Sequence, residues 1–290
     1  MLINVANETE LQAAISAKKS LIFVTESFDF AKDTSCISVD HNVVIDFGGH
    51  KVTSSAKGFD LACSKAGSRL VLCNGTFETA SWAVWVQNAG VLTVASDMIV
   101  ANTQASPDLD KPTIYVGQEN STLNIYGTVT SKYDTAISGN GSVGEDKVII
   151  NIFEGANIVA EQQAAIYMPN SKALNIGGAT ITGNVAGVYI KCGIVNISNS
   201  TITATGEAKA YEFCNDGYKQ TGDAIVVDSC GYPGGAANVT IGANVVLNVT
   251  TPAEGAESAH GIAHYVGEGC AKATISADGY NVVELKGRAA

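Results

Sequence analysis

A short triplet, in which two apolar residues flank a usually polar one, recurs along the chain: Leu70-Val71-Leu72, Leu92-Thr93-Val94, Leu123-Asn124-Ile125, Ile150-Asn151-Ile152, Leu174-Asn175-Ile176, Val195-Asn196-Ile197, Val239-Thr240-Ile241 and Ala273-Thr274-Ile275. From Leu72 to Ile197 the last members are spaced 22, 31, 27, 24 and 21 residues apart, and the two later gaps are 44 and 34. Period-2 alternation in pieces this short predicts strands with one buried face. After a small-residue corner a second strand follows, as in Gly127-Thr128-Val129-Thr130, Gly178-Ala179-Thr180-Ile181-Thr182 and Gly242-Ala243-Asn244-Val245. A third closes the unit, as in Ala83-Val84-Trp85-Val86, Ala165-Ile166-Tyr167-Met168 and Ala224-Ile225-Val226-Val227. The longer gaps read as an inserted loop followed by a longer turn.

Three short strands per repeat, with Gly and Asn at the bends, predict an all-β fold. It is a single-stranded right-handed parallel β-helix of about nine rungs, in which one rung cannot bury its apolar face until the next stacks on it. Asn124, Asn151, Asn175 and Asn196, at the centres of successive triplets, would stack as an outward ladder of amides. An open solenoid end needs a cap. Asn7-Glu8-Thr9-Glu10 has the form of a helix start, and Leu11, Ala14, Ile15 and Ala17 give the following helix an apolar stripe. The expected organisation is a cap over 1–35, with a helix at about 7–18 and a first strand, a β-helix over 36–285, and a tail over 286–290.

Lys and Arg number 17 against 28 Asp and Glu, a formal charge of −11, and Arg69 and Arg288 are the arginines. No basic stripe exists to neutralise phosphates, which argues against nucleic acid and against an anionic membrane surface as partners. No apolar run reaches the roughly 18 residues of a membrane-spanning helix. The N-terminus lacks the pattern of a secretory signal, so no signal peptide is expected. The seven cysteines contain no CxxC pair, so no zinc cage, metal or other cofactor is expected, and the thiols read mostly as reduced, buried small hydrophobes.

The cap helix, Leu21-Ile22-Phe23-Val24, the run Asn42-Val43-Val44-Ile45-Asp46-Phe47-Gly48-Gly49-His50 and the rungs that follow together resemble parallel β-helices of the pectate-lyase-like superfamily. The segment from Ala164 to Thr203, with Thr221-Gly222-Asp223-Ala224-Ile225 and Gly231-Tyr232-Pro233-Gly234-Gly235, is similar to a narrower group. These are β-helical virion proteins of tailed phages, of head-fibre, decoration or tailspike type. The resemblance implies a non-enzymatic structural component of a virion, assembled in the host cytoplasm. It would be a homo-oligomer, with a trimer favoured, among other virion proteins and facing a host surface glycan.

Enzymes of this fold cleave polysaccharides with clustered acids and a neighbouring base, or with paired carboxylates. The candidate groove for such a lyase or glycosidase is Asp216, Asp223, Asp228 and His260, with Glu212 and His264 nearby and Tyr211, Tyr218, Tyr232 and Tyr265 around them. No arginine lies there, Lys219 is the obvious base, and Gly-His-Gly and Asp-Asp motifs are missing, so no catalytic residue is assigned. Alternation also places Trp85, Tyr115, Tyr167 and Tyr189 outward on one wall, as an aromatic stripe for a subunit interface or for stacking of sugars, or as a wall that the inserted loops around 104–112 and 207–222 cover. A carbohydrate-binding module is thus a further alternative.

Overall fold

The computed structural model describes residues 2–30, 36–55, 61–104, 111–117, 120–140, 148–169, 172–207, 222–229, 236–250 and 259–287. The chain is a right-handed parallel β-helix in which the first, second and third strands of the rungs form a first, second and third sheet of 11, 9 and 10 strands. The first sheet carries the triplets. Leu70, Leu92, Leu123, Ile150, Leu174, Val195 and Val239 stand in one register column, and every one is fully buried. Burying an aliphatic side chain of this kind is worth about 1.5–3 kcal/mol, and the inward columns of all three sheets share that burial. Each rung contributes its layer only once its neighbours cover it.

Two details of the register depart from the sequence reading. In the last rung Val239 pairs with Ile275 rather than Ala273, a slip of two residues. A two-residue shift keeps the same side chains facing inward, so alternation alone does not distinguish the two alignments. Gly242-Ala243-Asn244-Val245 forms a corner rather than a strand, with Asn244 at φ 59, and the strand is Val246–Val249 beside Thr201–Ala204. Asn199 occupies the equivalent corner at φ 49, and Asn244 Nδ2 donates to its Oδ1 at 3.1 Å. Asparagine tolerates this left-handed conformation better than most side chains, so the corner asparagines form a short stack of their own.

The first strand, Leu2–Val5, precedes the helix and pairs with Leu21–Val24. The helix Glu8–Ser16 therefore lies inside the opening turn of the solenoid. Asn7 Oδ1 accepts from Glu10 N at 3.0 Å, and the Glu10 carboxylate reaches back to Ala6 N at 2.8 Å. Together they satisfy donors that a helix start leaves open. Leu11, Ala14 and Ile15 are buried, so the helix closes this end with its apolar stripe. At the other end Val282–Lys286 forms the last strand of the third sheet, with its side chains half-buried or exposed.

Candidate functional site

The third sheet brings the candidate residues together. Its register aligns Trp85, Tyr115, Ser138, Tyr167, Tyr189, Val226 and Ala263 in one column. Trp85 meets Tyr115 edge-on with ring centroids 6.2 Å apart, and Tyr167 meets Tyr189 at 5.7 Å. The four rings share a wall, but they are not an exposed stripe. Trp85 and Tyr115 are half-buried, while Tyr167 and Tyr189 are 5% and 1% exposed. The cause is a second hydrophobic cluster on the outer side of this sheet, in which Ala164, Ala186, Val226, Ala263 and Tyr265 surround the two tyrosines and Leu285 packs against them. The strands Ala186–Ile190 and Asp223–Asp228 are buried along their whole length, hence on both faces. Ala224-Ile225-Val226-Val227 already reads as the continuous apolar run of a strand covered on two sides.

Within this covered wall lie two buried carboxylates, one at each end of the strand Asp223–Asp228 and each about 1% exposed. Asp223 Oδ2 accepts from the Tyr265 hydroxyl at 2.7 Å. Its Oδ1 accepts from the His260 backbone N at 2.7 Å and lies 3.0 Å from His260 Nδ1. Asp228 Oδ2 accepts from the Tyr189 hydroxyl at 3.0 Å and stands 3.4 Å from Lys191 Nζ. Both members of that ion pair are buried, so their attraction offsets part of the cost of taking each charge out of water. Next to them His264 Nε2 lies 2.6 Å from Ser229 Oγ, which itself accepts from Ala273 N at 2.9 Å. The hydroxyl keeps its hydrogen and a second lone pair, so the direction of its bond with His264 follows the imidazole tautomer. Burial holds the His264 pKa below its ordinary value, opposed by Glu284 and Asp228 and assisted by Lys272.

These contacts tie three successive rungs of the third sheet to one another. Of the groove candidates, Asp223 and His260 meet and Asp228 stands at the other end of the same strand, whereas Asp216, Glu212, Tyr211, Tyr218, Lys219 and Tyr232 lie outside the described residues. Both carboxylates are buried and bonded to protein groups of the covered wall rather than turned toward an open groove. Lys191 was not singled out in the sequence. The available signal was its place directly after the run ending in Ile190, which pairs with Val227 and so sets Lys191 opposite Asp228.

Among the described residues, no three His, Cys, Asp or Glu side chains converge as a metal would require, and no helix is long and apolar enough to cross a membrane. Cys36, Cys63, Cys73 and Cys192 form no disulfide, whereas Cys270 is disulfide-bonded, so the expectation of reduced thiols fails at that position. Burial, with Asp46 and Asp97 nearby, pushes the Cys73 pKa up to about 11. Cys214 and Cys230 lie outside the described residues.

No protein-family model matches the chain, and no curated protein does. A solved structure described as "L. reuters 100-23 SRRP" is similar to it over 99% of this chain and 96% of the other, at 14% identity and a TM-score of 0.49.

Proposed function

We propose that this chain is a non-enzymatic structural component of a phage virion, of the decoration or head-fibre kind within the pectate-lyase-like group. It would act as a homotrimer alongside other virion proteins. The observation that carries the non-enzymatic half is the state of the acids: Asp223 and Asp228 are buried and spent on Tyr265, His260, Tyr189 and Lys191 as ties between rungs. The virion half rests on the resemblance of the segment from Ala164 to Thr203 and on the stack of rungs that the described residues form. The disulfide at Cys270 suits a protein that finishes outside a reducing cytosol, as a released particle does.

The test is mass spectrometry of gradient-purified particles from the phage or prophage that encodes the chain. The expected result is the chain present in the particle at a fixed copy number. Recovery solely as free protein in the medium would overturn the virion reading. In parallel, pectate, alginate and neutral polysaccharides incubated with the protein are expected to yield no new reducing ends or unsaturated uronates. Cleavage that disappears in Asp223→Asn would replace this reading with that of a lyase or hydrolase.

A further inference from the structure

The first sheet carries an outward feature that the structural role leaves unused. Asn151 Nδ2 donates to Asn124 Oδ1 at 2.9 Å, Asn175 Nδ2 to Asn151 Oδ1 at 2.9 Å, and Asn196 Nδ2 to Asn175 Oδ1 at 3.0 Å. A carboxamide has two donor hydrogens and two acceptor lone pairs. The ladder takes one of each from Asn151 and Asn175, so both amides keep a donor and an acceptor uncommitted by it. These amides line a groove of about 250 Å³ together with Phe153, Gly177 and Ser198.

The groove exists because an aromatic stack stops. The residues following the triplets are Tyr126, Phe153, Gly177 and Ser198, which share a column because Ile125, Ile152, Ile176 and Ile197 are in register and Gly177 pairs with Ser198. Tyr126 and Phe153 stack face to face, with centroids 4.2 Å apart and planes 3° from parallel. The next position up the column is glycine, so the ring face of Phe153 looks into a slot where a third ring would sit. Neither backbone nor packing demands glycine there. Gly178 has φ +76 and a Cβ on it would meet Glu154 Cα at 2.9 Å, whereas a Cβ on Gly177 would meet nothing nearer than Ser198 Oγ at 3.9 Å.

We propose that this slot binds a neutral extended oligosaccharide, with one pyranose ring stacked on Phe153 in the place of the missing aromatic. The ring's C–H face suits an aromatic face, and a sugar hydroxyl, which donates and accepts at once, matches an amide with one donor and one acceptor to spare. The charge selects the class. No charged side chain lines the groove, Glu154 is exposed next to Phe153, and the chain is strongly acidic, which disfavours uronates and sialates. This site is on a different sheet from the aromatic wall that the sequence suggested for sugar stacking, and it does not depend on where the protein resides.

The experiment uses the full chain and four probes: cellotetraose, N-acetylchitotetraose, β-1,4-galactotetraose and, as the anionic comparison, tetragalacturonate. Binding is screened by saturation-transfer NMR and measured by titration calorimetry. At least one neutral tetramer is expected to bind, and Phe153→Ala and Gly177→Phe are each expected to weaken it at least about tenfold. Gly177→Phe continues the stack and fills the slot, so its thermal midpoint is expected to match or exceed that of the parent. Three results would overturn the proposal: no binding of any neutral tetramer, unchanged binding in Gly177→Phe, or preference for tetragalacturonate over all neutral probes.

Discussion

Asn124, Asn151, Asn175 and Asn196 on the first sheet, and Tyr189, Lys191 and Asp228 on the third, all project outward from the same column of rungs. The amides are half-buried or exposed and bond to one another up the column, so their remaining polar atoms can turn to water. The third-sheet groups are closed off, and every polar atom there needs a protein partner because an unpaired one costs several times what a bond returns. Orientation is therefore a local property set by strand alternation, whereas burial is a property of what lies over the strand. Two walls of one solenoid end up with opposite roles: the first presents chemistry outward, and the third locks rungs 186–191, 222–229 and 259–266 together.

The hardest blow to the closed wall is Lys191→Met. It leaves Asp228 buried without its cation and is expected to cost about 3–5 kcal/mol, measured by thermal or urea unfolding. The companion Lys191→Met/Asp228→Leu, which removes both charges, is expected to recover most of that loss. A milder pair compares the two walls directly. Tyr265→Phe keeps the ring but removes a hydroxyl bonded to a buried carboxylate, at an expected cost of about 1.5–3 kcal/mol. Asn175→Ala deletes two ladder bonds on the open wall, at an expected cost of about 1 kcal/mol because water takes over the freed groups. If Asn175→Ala costs more than Tyr265→Phe, the open wall is the structural one.

The smallest effect is that of pH. His264 is held below its ordinary pKa of 6.5 by burial, so in the window below about 6.5 the unfolded chain binds protons that the folded chain refuses. Stability from this residue is fully present above that value and is lost as pH falls through the window. A thermal midpoint that declines from neutral toward mildly acidic pH is expected, and His264→Gln is expected to flatten that part of the decline.

Much of this architecture was legible in the residues. The triplet spacing carried the rung repeat and the Asn124 to Asn196 ladder, because those features depend on local alternation and on like residues stacking on like. Register at the last rung was not legible, since Ala273-Thr274-Ile275 and Ile275-Ser276-Ala277 present the same inward pattern two residues apart. The covering of Tyr167 and Tyr189 was legible only in part: the apolar run from Ala224 to Val227 points to a strand covered on both sides, whereas alternation says which way a ring points and nothing about Ala164, Ala186 and Ala263 closing over it. Asp223 and Asp228 were recognisable as a pair worth attention. His260 and Tyr265 were grouped with them, but Lys191 was not, because it meets Asp228 across a strand pair far apart in the chain. The groove at Gly177 follows from the register of Phe153, Gly177 and Ser198 and becomes visible only when rungs are aligned residue by residue.

The contrast between the two walls is tested most directly by nitrating the tyrosines of the native protein with tetranitromethane and mapping the sites by mass spectrometry. Tyr126, 39% exposed, is predicted to react readily, while Tyr167, Tyr189 and Tyr265 stay unmodified until the protein is unfolded. Nitration of Tyr167 and Tyr189 at the rate of Tyr126 in the folded protein would contradict the closed third wall and restore the aromatic column as an open surface.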